Sequence, residues 1–455
     1  MIPIAVIITI FIAIRLWLLW HQPVLRWDEA VYVAMGKYLW SGGLIGLWEP
    51  LRPILMPMIY GIIWKSGMDP IFIGHIIAIA FSSGLIAITY IIGRRITTAP
   101  NAILAALIIA STPFFWHHAD ALLTDIPAAV ASLSALVALL QSRPLLAGTL
   151  AGTATLIRFP AGLCLLSLIL ITMRQSHHRQ TDLARIIGGF LLTLIPFLAF
   201  NVWMYSSTYG AAFAGVHPFG LALRSQGNVA EWQPWYHYLG TLAWPTLWYV
   251  GAFVGMCIWH RNSGPWARAA ITYLGVHIVY YASITNTQDR FLFAYIPIIA
   301  ILATMGLSFT VTQSWARPLI AIGLIIGLLG TIHTLTLQTQ WRAEPPDSDY
   351  LAFARFARSD VNATYLAANP VPAAYADARF IPYYDNVDSG IKEFDLHLNE
   401  ALYIIHSPEA YHCPKDNLTC ADRLLALGRK AAASGTEVFS LTHDGRNYHI
   451  YKTRA

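Results

Sequence analysis

Residues 52–65, RPILMPMIYGIIWK, decide the topology of the chain. The run is apolar between Arg52 and Lys65, yet it holds Pro53 and Pro57 and falls short of the ~20 residues a helix needs to cross a bilayer. Read as a span, it would invert every later loop; read as a juxtamembrane or re-entrant segment, it leaves them in place. Basic residues choose between the two. With the N-terminus inside and residues 52–65 not crossing, the inner connections carry Arg94 and Arg95, then Arg143, then Arg174, Arg179 and Arg185, then Arg261 and Arg268, then Arg317. Arginine in short inner loops is the positive-inside pattern. The segment is therefore expected at the outer surface.

Composition agrees that the chain lives in a membrane. Of 455 residues, 56% are hydrophobic and only 12% charged, with a mean hydropathy of +0.52, too little polar surface to cover a soluble globule of this size. The net charge of +5 comes from basic residues scattered singly, with no stripe or patch fit for nucleic acid. Residues 1–20 are apolar except for Arg15 and lack a basic leader and a small-residue cleavage site, so a retained first helix is expected. Further apolar runs lie at 71–93, 101–116, 121–140, 145–157, 160–173, 185–205, 239–259, 268–284, 291–310 and 316–337, giving about eleven spanning helices in residues 1–340.

Residues 341–455 differ in composition, with Asp, Asn, Pro and short alternating apolar runs. TYLAA, ALYIIHS, EVFSLT and YHIYKT read as strands, and DYLAFARFAR and CADRLLALGRKAAA as amphipathic helices. The expectation is a small α/β domain on the outer face. Two N-x-T triplets, at Asn362 and Asn417, fit exposure there, and Cys413 and Cys420 could close a small loop in an oxidising compartment.

On this topology one face collects the chemistry. Asp28 and Glu29, in QPVLRWDEAVYVAMGKYLW (residues 22–40), follow the first helix closely and sit among aromatics. A carboxylate there could act as a general base, or the pair could simply cap a short helix. The next outer segment, FFWHHADALLTDIPAAV (residues 114–130), holds Asp120 and Asp125 with His117 and His118 upstream. Acids and imidazoles at a hydrocarbon boundary are costly unless used, although Asp125 ahead of Pro127 also suits a helix start. His117, His118 and Asp125 are candidate ligands for a divalent metal. Cations at this face are Arg52, Lys65, Arg158, Arg224 and Arg290; at helix ends Arg158 and Arg290 could snorkel or clamp a phosphate. Arg15, one turn from the outer end of its helix, is expected to snorkel.

RWDEAVYVAMGKYLWSGG resembles the first-loop Asp-Glu motif of the GT-C superfamily of polyprenyl-phosphate-dependent glycosyltransferases, in the branch of protein O-mannosyltransferases and the lipid A aminoarabinose transferase. In order, EPLRPILMPMIYGIIW is similar to the basic-Pro juxtamembrane segment of that branch, HADALLTDIPAAV to its second-loop Thr-Asp-x-Pro segment, ATLIRFPAG to its later basic turn, and DRFLFAYIPIIAILA to its late helix opening on Arg and an aromatic. The basic-Pro segment departs from the pattern in lacking a doubled proline. The resemblance spans about residues 10–310.

It implies a multi-pass plasma-membrane enzyme that performs an inverting transfer from a polyprenyl-phosphate sugar to a protein, lipid or glycan acceptor on the extracytoplasmic side. Mapped residue by residue, it makes Asp28 the catalytic carboxylate, Glu29 its neighbour and Asp125 the second-loop acid, with Arg52 and Arg158 facing the lipid phosphate; Arg290 and Asp120 join them as candidate substrate-binding residues. A transporter or flippase of lipid-linked sugars is the other reading. Transporters place ionisable groups near the midplane, whereas here only His75, His277 and a few prolines lie within spans.

Overall fold

The computed structural model describes residues 2–19, 25–225, 238, 252, 255, 264–284, 288–311, 325, 329–337, 356, 363–384, 387–407, 418–443 and 446–454. The chain divides into two compact units, residues 1–21, 51–55 and 75–341 in one, and residues 22–50, 56–74 and 342–455 in the other. A boundary placed at residue 340 therefore misses a grouping: the first loop and residues 56–74 belong with the tail.

The first unit is helical. Its apolar runs fold as α1 (Ile2–Leu18), α4 (Pro70–Ile96), α5 (Ala99–Ala110), α6 (Pro113–His118), α7 (Asp125–Leu140), α8 (Pro144–Ile157), α9 (Leu163–Gln175), α10 (Arg179–Tyr209), α11 (Ala211–Ala214), α12 (His217–Ser225), α13 (Pro265–Ser283) and α14 (Ile296–Val311). Among the described residues, α4 and α10 are the two helices long and apolar enough to cross a bilayer on length alone. The expected runs at 239–259 and 316–337 fall largely outside the described residues.

The run at 101–116 is broken in two, because Pro113 cannot donate a backbone hydrogen bond and holds Thr112 extended, with ψ at 122°. Two buried hydroxyls bond back along their own helices, Thr89 to the Leu85 carbonyl (2.7 Å) and Thr155 to the Ala151 carbonyl (2.9 Å), so neither is an orphaned donor. The outward faces are apolar: on α10, Leu192, Ile195 and Trp203 are exposed, the reverse of a water-soluble surface. Small residues let α8 and α10 touch through their backbones. A Cβ on Gly148 would lie 1.9 Å from the Ile186 carbonyl oxygen, and one on Gly189 2.3 Å from that of Leu145.

The second unit contains α2 (Trp27–Trp40), most of α3 (Leu55–Lys65) and a five-stranded sheet flanked by α15 (Val371–Tyr375), α16 (Val387–His397) and α17 (Leu418–Ala433). The strands β1 (Thr364–Ala367), β2 (Arg379–Pro382), β3 (Tyr403–His406), β4 (Gly435–His443) and β5 (Arg446–Thr453) run in the order β2-β1-β3-β5-β4. β1 is parallel to β2 and β3; β5 is antiparallel to β3 and β4. One face of the sheet, through Tyr365, Phe380, Tyr403 and Ile450, forms a core with Val31, Ala34 and Met35 of α2. Burial of that apolar face is what ties the first loop to the tail.

The connection is also hydrogen-bonded. The Gly46 N–H donates to the Ala378 carbonyl and the Phe380 N–H to the Gly46 carbonyl, both at 2.8 Å, so the loop adds a bridge at the β2 edge. Lys37, nearly buried, donates to Asp377 (2.9 Å) and to the Ala376 carbonyl (3.3 Å). Cys420 is disulfide-bonded, while Cys413, Asn362 and Asn417 lie outside the described residues.

Candidate functional site

Three charged side chains meet inside the first unit, each placed by a helix end. Asp125 is the first residue of α7, following Thr124. Arg158 lies just beyond α8, where the backbone turns extended (φ −155°, ψ 118°) before a 3-10 turn at Phe159–Gly162. Arg290 stands in a second 3-10 turn, Asp289–Ala294, ahead of α14. The Asp125 carboxylate is 5% exposed. Arg158 Nη1 lies 3.3 Å from its Oδ1 and Arg290 Nε 3.9 Å from its Oδ2.

The arginines are held from behind. Arg158 donates to the Thr124 hydroxyl (3.4 Å), bonds to the Tyr281 hydroxyl and lies over the Phe291 ring at 4.7 Å. Arg290 Nε donates to Gln288 Oε1 at 2.6 Å. Among the described residues neither Asp125 oxygen makes a hydrogen bond of good geometry, and the two arginine charges compensate this buried acid. The cluster borders a small pocket, with free space of about 10 Å³, lined by Asp125, Ser132, Arg158, His277, Tyr281 and Arg290. Two guanidiniums around a lined cavity suit a phosphate, which takes forked N–H donors well.

No protein-family model and no curated protein sequence matches the chain. Solved structures do. ArnT from Cupriavidus metallidurans bound to undecaprenyl phosphate superposes with a TM-score of 0.71 at 13% identity, covering 99% of this chain and 98% of that one. AglB oligosaccharyltransferase from Archaeoglobus fulgidus, in complex with an inhibitory peptide and a dolichol-phosphate, gives 0.58 at 12% identity, covering 98% and 74%. This chain has the GT-C glycosyltransferase fold. At these identities it is the fold that is shared, and it is the fold of polytopic membrane proteins.

Within the GT-C fold the expected site residues separate into groups. Asp125, Arg158 and Arg290 come together as described. Arg15 and Asp120 pair with each other. Arg15 is fully buried, with Nη1 3.5 Å from Asp120 Oδ1, a second bond to the Trp116 carbonyl and its guanidinium 4.5 Å over the Trp116 ring. The expectation that Arg15 snorkels to headgroups is thus corrected: an acid and a backbone carbonyl inside the bundle take its donors. Asp120 is thus paired with Arg15, and its backbone carbonyl lies 2.6 Å from His75 Nδ1.

His117 and His118 stand side by side, ring centroids 4.8 Å apart, with His118 Nδ1 bonded to the Phe114 carbonyl (2.9 Å). Among the described residues no three His, Cys, Asp or Glu side chains converge as a cation needs, so the set His117, His118 and Asp125 is not assembled. Two arginines already flank Asp125, which disfavours a third cation there.

Asp28 and Glu29 lie in the second unit, in the first turn of α2. Glu29 is buried and accepts the Arg26 backbone N–H at 3.0 Å, the work of a helix-capping acid. Asp28 is half-buried beside it. Burial raises the pKa of Tyr60 and of Tyr375 well above the ordinary tyrosine range, and the charge of Glu29 pushes both further in the same direction. Arg52 is half-buried in the turn before α3; the Arg224 side chain lies outside what is described. Ser132 and Tyr281, which no local motif singles out, join the site through tertiary packing.

Proposed function

We propose that the chain is an inverting glycosyltransferase that moves a sugar from a polyprenyl-phosphate donor to an acceptor hydroxyl at the extracytoplasmic face of the membrane. The observation that carries this reading is the Asp125–Arg158–Arg290 cluster beside a pocket, in a fold whose solved relatives hold undecaprenyl phosphate and dolichol-phosphate. No observation favours transport over transfer.

In the transfer the acceptor oxygen bonds to C1 of the sugar as the C1–O bond to phosphate breaks, and the bonding pair leaves with the phosphate. Negative charge grows on the leaving group through an oxocarbenium-like transition state, so fixed cations at that oxygen lower the barrier. Arg158 and Arg290 supply them, and Asp125 keeps the two guanidiniums from repelling each other out of register. The acceptor proton needs a base. Asp28 takes that role in the proposal, on its match to the first-loop motif and its partial exposure, while Glu29 shapes the turn that carries it. A single displacement requires no enzyme nucleophile. The acceptor is a hydroxyl of a protein, a lipid or a cell-surface glycan.

Membranes holding matched amounts of wild type or Asp28→Asn, given a radiolabelled pool of polyprenyl-phosphate sugars, test this directly. The wild type should pass label to an acceptor, and the variant should do so on the order of 10²- to 10⁴-fold more slowly, the usual worth of a general base. Equal rates would remove Asp28 as the base; no transfer by the wild type together with donor crossing the bilayer would replace the enzyme by a transporter.

A further inference from the structure

One polar group in the pocket has no task in the mechanism above. His277, in the middle of α13, is 1% exposed, and its ring stacks on Tyr273 at 4.0 Å. Its Nδ1 lies 2.8 Å from the Tyr273 carbonyl oxygen, which can only accept, so Nδ1 carries the proton. Nε2 is then a bare lone pair. It is buried, has no hydrogen-bond partner among the described residues, and belongs to a residue that lines the cavity shared by Asp125, Arg158, Tyr281 and Arg290. A buried acceptor left unmet is costly, and in an apolar helix the sequence had every cheaper option.

We propose that His277 Nε2 is a ligand-binding acceptor that receives a hydroxyl of the phosphate-bearing headgroup while Arg158 and Arg290 hold its anionic oxygens. The inference rests on the function proposed above. A ligand met by all three groups is anionic on one side and presents an O–H on the other. Such an O–H has two sources, a hydroxyl of the donor sugar or the P–OH of the lipid monophosphate released. A phosphodiester donor has the first alone and a polyprenyl monophosphate the second alone, so the two lipids distinguish them.

Binding of undecaprenyl phosphate and of a polyprenyl-phosphate sugar to the purified full chain, in wild type, His277→Phe and His277→Gln, tests the assignment. Phe keeps the ring against Tyr273 and removes the acceptor; Gln restores an oxygen near the Nε2 position. His277→Phe should weaken one or both lipids about tenfold, the worth of one hydrogen bond, and His277→Gln should recover most of it. Loss confined to the monophosphate assigns the P–OH, and loss confined to the sugar lipid assigns a sugar hydroxyl. Thermal unfolding without lipid is the second readout. An acceptor unmet in the free protein means His277→Phe unfolds no lower than wild type, whereas a structural histidine would lower it. Unchanged affinity for both lipids overturns the inference while leaving the enzyme reading intact; failure of the wild type to bind either lipid removes both.

Discussion

At the scale of single residues, the two buried acids of the first unit have different fates set by their neighbours. Asp120 pairs with the Arg15 guanidinium, itself sealed from solvent; Asp125 lies 3.3 and 3.9 Å from two guanidiniums and lines a cavity. Removing one partner of a sealed pair strands the other charge, so Asp120→Ala should destabilise the folded chain by about 3–5 kcal/mol, and Arg15→Met with Asp120→Leu should recover most of the loss. Thermal unfolding in detergent reads both; equal loss in the single and double variants would contradict the pairing. Arg158→Lys keeps charge but loses the fork and the stacking on Phe291, and should cost on the order of 10²-fold in transfer with little change in unfolding. Assay of donor consumption checks it. Arg158 and Arg290 were legible because each sits at the edge of an apolar run, and Asp125 because it interrupts one. The Arg15–Asp120 pair was not, since its members are 105 residues apart. His277 was visible only as an odd polar residue within a span.

At the scale of elements, close backbone approach decides what can change. α2 and α3 cross at glycines: a Cβ on Gly36 would lie 2.5 Å from the Pro57 carbonyl oxygen and one on Gly61 2.4 Å from that of Gly36. Gly46 is more constrained still, with φ at +90° and a Cβ position 2.1 Å from the Ala34 carbonyl oxygen. Gly46→Ala should cost at least ~1–3 kcal/mol in backbone strain alone and loosen the bridge to β2. Limited proteolysis near residue 46 should accelerate; wild-type resistance would mean that the loop relaxes without cost. The strands β1, β3, β4 and β5 follow from alternating apolar runs. β2 escaped because RFIP ends in proline, which argues against a strand. The break at Thr112 was signalled by Pro113 and lost in the length of the surrounding apolar run.

At the scale of the whole molecule, the grouping of the first loop with the tail was illegible because it rests on apolar burial between segments more than 300 residues apart, which no local pattern encodes. That unit should also answer to alkali. Tyr60 and Tyr375 are neutral when protonated and are raised above the ordinary 10.0, so the folded state holds their protons longer than the unfolded chain does. The stability this contributes is complete below pH ~10 and is lost as pH rises past it. Tyr60→Phe should blunt the fall in unfolding temperature above pH ~10, and an unchanged fall would show that the phenol is not its source.

The central claim is that the pocket beside Asp125, Arg158 and Arg290 receives a lipid-linked phosphate. A polyprenyl phosphate with a photoreactive group next to the phosphate, cross-linked to the purified chain and mapped by mass spectrometry, tests it most directly. The account expects label at residues 125–132, 158–161 and 277–294, abolished by excess undecaprenyl phosphate and reduced in Arg158→Lys. Label confined to the outward apolar faces of α10, or unaffected by competitor, would contradict it.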